Sequence, residues 1–278
     1  LARNLYHKRT GIIAVLVPNV SNPFFAEFVD HVEAELYKAG FKMMLCTTEK
    51  EFNAELEYLD MLNRHIVDGV ITGAHSLAVE EYKKIHKPIV ALDRYLGEDI
   101  PVIAVNHKEG GRLAAETLIQ NGCRRVLHFR GKVTVESPYH DRHFEFARIM
   151  EEHGIQTIDY ELGRNRLDSE YYKKAVKDVF TRGIDFDGVF GVDRPVIECM
   201  NETIRRHRRV PEDVKFVAYD GTFITEMVEP PLTAIVQPIK ELARESVRLV
   251  CNLVNGKVYK NKQVSLQVEL RKGKSTVL

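Results

Sequence analysis

The chain has little of several features that would place it in a specialised class of protein. Its 278 residues include only four cysteines, Cys46, Cys123, Cys199 and Cys251, which are widely spaced and form no CxxC pair. That pattern argues against a structural zinc site or a redox dithiol and predicts buried, reduced thiols. No apolar run approaches the roughly 20 residues that span a bilayer, and no signal-peptide segment begins the chain, so we expect a soluble cytoplasmic protein.

An excess of charge is also absent, because 40 Lys and Arg balance 40 Asp and Glu. No overall field therefore attracts nucleic acid or an anionic membrane, and any DNA contact must be local or lie outside these residues. The first residue is Leu rather than Met, so we expect further residues upstream. One dense basic segment, residues 205–209, ends a predicted helix and complements its dipole. We interpret it as solvated surface; docking of a phosphorylated carrier protein is the alternative.

The sequence lacks the short motifs of nucleotide-binding and hydrolytic enzymes, namely GxGxxG, GxxxxGK[ST] and GxSxG. Asp193 and Asp220 could form a carboxylate pair for glycoside hydrolysis, but such a pair binds sugar hydroxyls equally well. His140 and His143 have the i, i+3 spacing of two metal ligands, although the intervening Arg142 fits a binding site better. We therefore predict no enzymatic activity, no metal and no cofactor.

What the chain does contain is one α/β pattern that occurs twice, at residues 11–40 and 125–154. In the first copy Ile12–Val17 is a continuous apolar run, which is typical of a parallel strand buried on both faces. A loop rich in helix-capping residues and an amphipathic helix follow. In the second copy the apolar residues 126–129 precede a helix at about residues 141–153. Two similar halves predict two lobes with a cleft between them.

Strands and helices alternate along the rest of the chain, which favours a doubly wound parallel sheet in each half. The halves are joined by short crossings near Asn106 and Gln237, which we expect to act as hinges. In open α/β sheets, ligands bind beyond the carboxyl ends of the strands. We therefore expect the ligand between the lobes, in contact with the loops that follow the strands.

Those loops carry side chains suited to a polar, ring-shaped ligand. Aromatic rings cover the apolar face of a sugar or stack on a base, whereas Asp and Arg bind hydroxyls or anionic groups. Two local alternatives are that Phe24 or Phe25 belongs to the core, and that Asp93 and Arg94 form an ion pair that stabilises a lobe. The set comprises Ser21, Asn22, Phe24, Phe25, Asp93 and Arg94 in the first half, and Arg142, Asp193 and Asp220 in the second.

A series of short motifs runs through the chain in a fixed order. They are Ala2-Arg3-Asn4-Leu5, Thr10-Gly11-Ile12-Ile13, Ser21-Asn22-Pro23-Phe24-Phe25, Val67-Asp68-Gly69-Val70-Ile71, Leu92-Asp93-Arg94, Arg142, Val210-Pro211-Glu212-Asp213-Val214, Tyr219-Asp220 and residues 231–238. In this order and spacing, which spans essentially the whole chain, they resemble the lactose/galactose repressor family of bacterial transcription regulators.

The resemblance implies an α/β fold of two doubly wound parallel-sheet lobes, similar to type I periplasmic sugar-binding proteins, that forms the effector-binding core of a homodimeric repressor. The helix-turn-helix that binds operator DNA would lie outside this chain, and Leu5 would be the hinge-helix leucine that enters the minor groove. The implied domains are a hinge remnant at residues 1–9, an amino-terminal lobe at 10–106 and 238–258, and a carboxyl-terminal lobe at 107–237 and 259–278.

The resemblance also implies roles for single residues. Phe24 would stack on the effector, and Asp93 and Arg142 would bind its polar groups. Asp193 and Asp220 would bind its hydroxyl groups from the second lobe. The matching positions also include Asn22, Phe25, Arg194 and Gln237. Asp193-Arg194-Pro195 departs from the family pattern by bringing a charge and a proline, so Arg194 either enters the pocket or shapes it. A second departure is Ala218, which stands where the family usually has a glycine before the aromatic-aspartate pair.

The identity of the effector stays open at this point. Asp220-Gly221-Thr222 is similar to sucrose-type regulators, whereas other sugars, sugar phosphates and nucleobases are the alternatives. Binding is expected to change the angle between the lobes of each subunit and so alter operator affinity. The dimer is expected to use the helices at residues 53–64 and 78–85. The rival function is an extracytoplasmic sugar-binding protein of a transporter.

Overall fold

The computed structural model describes residues 9–48, 54–74, 78–133, 137–163, 169–260 and 262–277. The chain divides into two compact units. The first comprises Leu1–Val105, Glu136–Pro138 and Pro238–Leu266, and the second comprises Asn106–Val135, Tyr139–Gln237 and Gln267–Leu278. The predicted hinge residue Leu5 lies outside the described residues.

Strands and helices alternate along the described chain, as the sequence predicts. In chain order they are β1 (Ile12–Val17), α1 (Pro23–Lys38), β2 (Lys42–Thr47), α2 (Ala54–Asn63), β3 (Gly69–Thr72), α3 (Val79–Lys83), β4 (Ile89–Leu92), β5 (Val102–Val105), α4 (His107–Gln120), β6 (Arg125–Gly131), a 3-10 turn (Pro138–His140), α5 (Asp141–Glu152), β7 (Gln156–Leu162), α6 (Ser169–Thr181), β8 (Gly188–Val192), α7 (Asp193–Arg205), β9 (Lys215–Asp220), a second 3-10 turn (Phe223–Thr225), β10 (Thr233–Val236), α8 (Ile239–Val254), β11 (Gln263–Leu266) and β12 (Glu269–Arg271).

The first unit is built on a parallel sheet in the order β11-β5-β4-β3-β1-β2. Strands β3 and β4 are buried along their whole length, which explains their continuous apolar sequences. Helix α8 packs closely on this sheet, since a Cβ atom at Gly69 would lie 2.8 Å from Val250 Cγ2. Strand β11 pairs in parallel with β5, Gln263 opposite Val102. Strand β11 therefore belongs to the first unit, which corrects its predicted assignment to the second lobe.

The second unit repeats this plan with the strand order β12-β10-β9-β8-β6-β7, in which only β12 runs antiparallel to its neighbour. Two doubly wound parallel sheets confirm the predicted fold class. In both sheets the winding direction reverses beside the first strand of the unit, between β1 and β3 and between β6 and β8. Ligands of doubly wound sheets bind at such a point, beyond the carboxyl ends of the strands.

An aspartate holds the amino ends of two neighbouring strands together in each unit. In the first unit the Asp68 carboxylate accepts hydrogen bonds from the N–H groups of Thr10 and Gly11, at 2.9 and 2.8 Å. In the second unit Asp187 accepts from the N–H groups of Arg124 and Arg125, at distances of 2.9–3.0 Å. The sequence repeat is therefore accompanied by a repeated contact, in which one carboxylate satisfies backbone donors that begin a strand.

The four cysteines are free thiols, and three of them are buried. Burial raises the pKa of Cys46 to about 11 and, with smaller effects from nearby charges, that of Cys123 to about 12. Both side chains are therefore protonated at neutral pH and are poor nucleophiles and metal ligands. The predicted burial is thus found for Cys46, Cys123 and Cys199, whereas Cys251 is half-buried.

Candidate functional site

In the first unit, the loop after β1 brings three of the predicted effector-binding residues to the carboxyl edge of the sheet. Asn22 is the N-cap of α1, and its Oδ1 accepts a hydrogen bond from the Phe24 N–H at 2.9 Å. Phe24 is 7% exposed and stacks on Phe28, with ring centroids 6.4 Å apart, so it also belongs to the core. Phe25 is half-buried and packs over Gly73, where a Cβ atom would lie 3.1 Å from its ring.

Asp93 follows β4 directly and lies at the same edge. Its φ of 53° is in the left-handed region, which aspartate tolerates better than most residues. The Asp93 N–H donates to the Ile103 carbonyl at 2.9 Å, and the Asp93 carbonyl accepts from the Ser137 hydroxyl. The backbone of this predicted binding residue is therefore held on both sides.

Arg94 is a buried structural residue that pairs with Glu55. Their side chains are 1% and 0% exposed, and Arg94 Nη1 lies 3.4 Å from Glu55 Oε1 and 3.0 Å from the Ala74 carbonyl oxygen. The Tyr82 hydroxyl also donates to Glu55, and the Arg94 guanidinium lies 5.5 Å from the centre of the Tyr82 ring. A lobe-stabilising ion pair was one interpretation of Asp93 and Arg94. In the structure Arg94 forms a buried ion pair with Glu55.

In the second unit, the register of the parallel strands brings three polar residues to one edge. Val192 is opposite Tyr219, and Asp220 is opposite Val236. The residues at or just past these strand ends are Asp193, Asp220 and Gln237, which are 2%, 8% and 4% exposed. Buried polar side chains require partners, and each of these has them.

Asp193 holds the loop that follows β9. Its carboxylate accepts from the N–H groups of Gly221 and Thr222, at 3.1 and 2.9 Å, and from the Thr222 hydroxyl at 2.6 Å. Burial, and then the neighbouring Asp220 carboxylate, raise the pKa of Asp193 well above its usual range, while the three donors act in the opposite direction. Both Asp193 oxygens thus accept hydrogen bonds from the protein itself, so the carboxylate holds the loop after β9 in place.

Asp220 and Gln237 form a pair. Asp220 has a φ of 100°, and its Oδ1 accepts from Gln237 Nε2 at 2.7 Å while its carbonyl accepts from the Gln237 N–H at 3.0 Å. Gln237 Oε1 is buried and has no hydrogen-bond partner among the described residues. A buried acceptor in this state is a natural partner for a ligand hydroxyl.

Arg142 lies in the first turn of α5 and is 8% exposed. Its guanidinium lies 4.4 Å from the centre of the Tyr219 ring and 5.5 Å from that of Tyr139. Within the described part of the chain, no acidic side chain forms an ion pair with Arg142. A buried cation that is stacked on an aromatic ring and lacks a counter-ion is suited to binding hydroxyl or carboxylate oxygens of a ligand.

A line of hydrogen bonds leads from Arg142 to the outer strand of the sheet. Arg142 Nε lies 3.4 Å from His143 Nε2, His143 Nδ1 lies 2.9 Å from His128 Nε2, and His128 Nδ1 lies 3.0 Å from Asp159 Oδ1. The two imidazole rings are 5% and 1% exposed, whereas the Asp159 side chain is 41% exposed. On the other side of the guanidinium, the Tyr219 hydroxyl lies 2.8 Å from His107 Nδ1.

The two buried rings make the stability of the second unit dependent on pH. Burial, followed by Arg142, lowers the pKa of His143 well below its usual range. Burial also lowers the pKa of His128, although Asp159 opposes this effect. Both folded-state values thus lie below the unfolded value of about 6.5. The unfolded chain therefore binds more protons in acid, and stability falls as the pH drops below that value.

As the pH falls from 6.5 to the folded-state pKa of a ring, we expect that ring to lower the unfolding free energy by up to about 1.4 kcal/mol per pH unit. Urea unfolding at pH 7, 6 and 5 measures this slope. His143→Leu should flatten it, whereas His153→Leu, which changes an exposed histidine just after the same helix, should not. An equal slope in the wild type and in His143→Leu would contradict this prediction.

Two glycines of α4 allow the close packing that places Arg142 and Tyr219. A Cβ atom at Gly111 would lie 2.3 Å from the Arg142 carbonyl oxygen, and one at Gly110 would lie 2.6 Å from the Tyr219 hydroxyl. Backbone atoms of α5 therefore occupy the space that a side chain on α4 would need.

Gly111→Ala is expected to lower the unfolding free energy by about 1–3 kcal/mol, because α4 and α5 must move apart. The effect opposes the higher helix propensity of alanine. Chemical denaturation checks this, with Gly131→Ala as the control, since a Cβ atom there would meet nothing closer than 3.8 Å. A stabilised Gly111→Ala protein would show that the helices adapt without strain.

The remaining predicted residues have partners on the surface of the second unit. The Arg194 guanidinium packs over Tyr172, 5.7 Å from the ring centre. In the basic segment, Arg205 and Arg206 pair with Glu202, and Arg209 pairs with Asp213. Arg205, Arg206 and Arg209 are exposed, as the interpretation of this segment as solvated surface predicts, whereas Arg208 is half-buried and donates to the Phe186 carbonyl at 2.7 Å. Among the described residues, no group of three potential metal ligands is present.

Sequence reasoning did not assign His128, His107 and Glu55 to any network, and considered His143 only as a metal ligand. One signal was available, because His128 interrupts the apolar residues of β6 and a buried polar side chain needs a partner. The partners themselves are distant in sequence, so only the fold identifies them.

The chain is similar to bacterial regulators of sugar operons. The periplasmic binding protein-like domain family matches residues 115–276. The ribose operon repressor of Halalkalibacterium halodurans is 35% identical over 258 residues, which is 92% of this chain and 77% of that protein. The sucrose operon repressor of Streptococcus mutans is 34% identical over 87% of this chain and 74% of that protein.

Solved structures show the same fold. A periplasmic binding protein/LacI transcriptional regulator from Alkaliphilus metalliredigens, complexed with D-xylulofuranose, is 27% identical, with a TM-score of 0.86 over 97% of this chain and 100% of that one. A LacI family regulator from Enterococcus faecium with bound ribose is 25% identical, with a TM-score of 0.82 over 95% of this chain and 98% of that one.

Proposed function

Because the chain belongs to the lactose/galactose repressor family of transcription regulators, we propose that it senses a small sugar and couples sugar binding to the affinity of a repressor for operator DNA. The relatives named above regulate ribose and sucrose operons, and the similar structures hold D-xylulofuranose and ribose. These similarities support a sugar as the effector of this chain.

The observation that carries the proposal is the polar edge of the second unit. It combines a buried guanidinium without an ion-pair partner among the described residues, at Arg142, with a buried amide acceptor that no described group satisfies, at Gln237. A sugar offers both the acceptors and the donors that these groups require. Arg142, Asp220 and Gln237 are thus the proposed sugar contacts of this unit, and Asp193 supports them by holding the loop after Asp220.

The proposed contacts of the first unit are Asn22, Phe24, Phe25 and Asp93. Asn22 and Asp93 lie just after β1 and β4, at the carboxyl edge of the sheet, and the two phenylalanines lie in the first turn of α1. The aromatic rings would cover the apolar face of the sugar, and Asp93 would accept hydroxyl hydrogens. Arg194 packs on Tyr172, so its proposed role is to shape the site.

Further parts of the proposal concern partners and location. We expect the protein to act as a homodimer in the cytoplasm, where operator DNA is found, and to release or bind that DNA in response to the sugar. The structure has no helix, among the described residues, that is long and apolar enough to span a membrane. The relatives are regulators rather than enzymes, and the proposed function involves no catalytic step.

A thermal-shift screen of the chain tests the proposal. Sugars, sugar phosphates and nucleobases form the panel, with D-ribose and sucrose as the first ligands. A sugar at about 100 times its Kd should add about 2.7 kcal/mol of stability, visible as a shift of several degrees. A response to nucleobases alone would overturn the sugar assignment.

Operator binding, measured with this chain joined to the helix-turn-helix that the proposal requires, distinguishes a regulator from the rival transporter protein. The sugar identified in the screen should change operator affinity by about 5- to 150-fold. Unchanged operator affinity at saturating sugar would overturn the coupling and favour a protein that only binds and delivers its ligand.

A further inference from the structure

We propose that His143 and His128, anchored by Asp159, are positioning residues that hold the Arg142 guanidinium in its sugar-binding orientation. The inference rests on the proposed function, in which Arg142 contacts the sugar. It assigns a role to two buried histidines that otherwise occupy the interior of an apolar strand and a helix without explanation.

The first argument is the direction of the hydrogen bonds. Arg142 Nε can only donate, so His143 Nε2, 3.4 Å away, must accept. The neutral His143 ring then carries its hydrogen on Nδ1 and donates to His128 Nε2. His128 in turn carries its hydrogen on Nδ1 and donates to the Asp159 carboxylate, which can only accept. Every hydrogen has one place, so each ring is fixed in one tautomer and one orientation.

The second argument is that the guanidinium is restrained on two sides. The His143 ring contacts the Nε edge, and the Tyr219 ring, itself held by His107, lies 4.4 Å beneath the guanidinium carbon. Among the described residues no acceptor is bonded to the terminal Nη nitrogens. These two nitrogens are the donors that form a bidentate contact with a ligand.

The third argument is energetic. An arginine side chain has several rotatable bonds, and fixing it before the ligand arrives reduces the conformational entropy lost on binding. The arrangement works only while the rings are neutral, because a second proton on His143 would direct an N–H group towards Arg142 Nε. The charged and titratable groups that face the rings are Arg142, His140 and His107 around His143, and Arg130 and Asp159 around His128.

Calorimetric titration with D-ribose and, separately, with sucrose tests the inference. His143→Leu should weaken binding of the recognised sugar by about tenfold, and His143→Gln, whose amide can accept from Arg142 and donate to His128, should restore it to within about threefold of the wild type. His153→Leu, at an exposed position just after the same helix, is the matched control and should bind normally.

A double-mutant cycle separates positioning from a general structural effect. In an Arg142→Ala background, His143→Leu should cause no further loss of affinity, because the group that it positions is gone. An equal loss in both backgrounds would overturn the positioning role. If Arg142→Ala itself leaves sugar affinity unchanged, the proposed sugar site fails instead.

A measurement without ligand keeps the inference testable if neither sugar binds. In ¹⁵N NMR spectra of histidine-labelled protein, both rings should be neutral Nδ1–H tautomers from pH 7 to pH 8. Detection of the Nε2–H tautomer, or titration of either ring within this range, would overturn the inference whatever the effector is.

Discussion

Replacing Glu55 with alanine is expected to lower the unfolding free energy of the first unit by about 3–5 kcal/mol. The Glu55 and Arg94 side chains are almost fully buried, so the substitution removes a carboxylate that is paired with a guanidinium in the interior. It also removes the acceptor of the Tyr82 hydroxyl. Burial, and then Glu55, raise the pKa of Tyr82 well above its usual range, so the tyrosine stays a neutral donor.

Chemical denaturation of the variants measures this effect. Glu57→Ala is the matched control, because Glu57 lies on the same helix but is exposed. The double variant Glu55→Leu/Arg94→Leu should recover much of the lost stability, since replacing both members of a buried pair by apolar residues removes the unpaired charge. Equal stabilities of Glu55→Ala and Glu57→Ala would show that the pair is not important to the fold.

Arg142→Ala is expected to weaken sugar binding by about 2–4 kcal/mol, or roughly 30- to 1,000-fold, because it removes a charge-assisted contact in a buried site. The stability of the ligand-free protein should change by less than about 1 kcal/mol. The two main contributions of the Arg142 side chain to stability oppose each other, since stacking on Tyr219 is favourable and burying a cation without an ion pair is unfavourable.

Titration calorimetry with the recognised sugar and denaturation without it separate these two effects. Arg148→Ala is the control for affinity, because Arg148 lies on the same helix but pairs with Glu145 and Glu152 at the surface. It should bind sugar as the wild type does. If Arg142→Ala fails to fold, Arg142 is structural and the site must be sought elsewhere on this edge.

The central strands could be predicted from the sequence because burial on both faces requires continuous apolar segments, as in β1 and β4. Two of the edge strands, β11 and β12, could not be predicted in this way. Strand β11 alternates between exposed and half-buried residues, and β12 has only three residues, so neither has a distinctive local pattern. Pairing with β5 and β10 determines these strands, and that pairing is a tertiary contact.

The candidate site shows the same division. The resemblance to a family placed Arg142, Asp220 and Gln237 among the binding residues, and the structure brings Asp220 and Gln237 into direct contact. The contacts of His128 with Asp159 and of Glu55 with Arg94 join residues 31 and 39 positions apart. Composition and periodicity describe neighbours within one helix or strand, so they contain no information on such pairs.

The route of the chain through its two units has a consequence for synthesis on the ribosome. Strands β1 to β5 emerge before the second unit, whereas their covering helix α8 and their edge strand β11 follow all of that unit except its last segment. The apolar face that α8 covers therefore stays open to solvent until the ribosome has synthesised the chain from β6 to β10 and then α8. A product that terminates after β10 would lack the helix and the edge strand that complete the first unit, and would leave this apolar face exposed to aggregation.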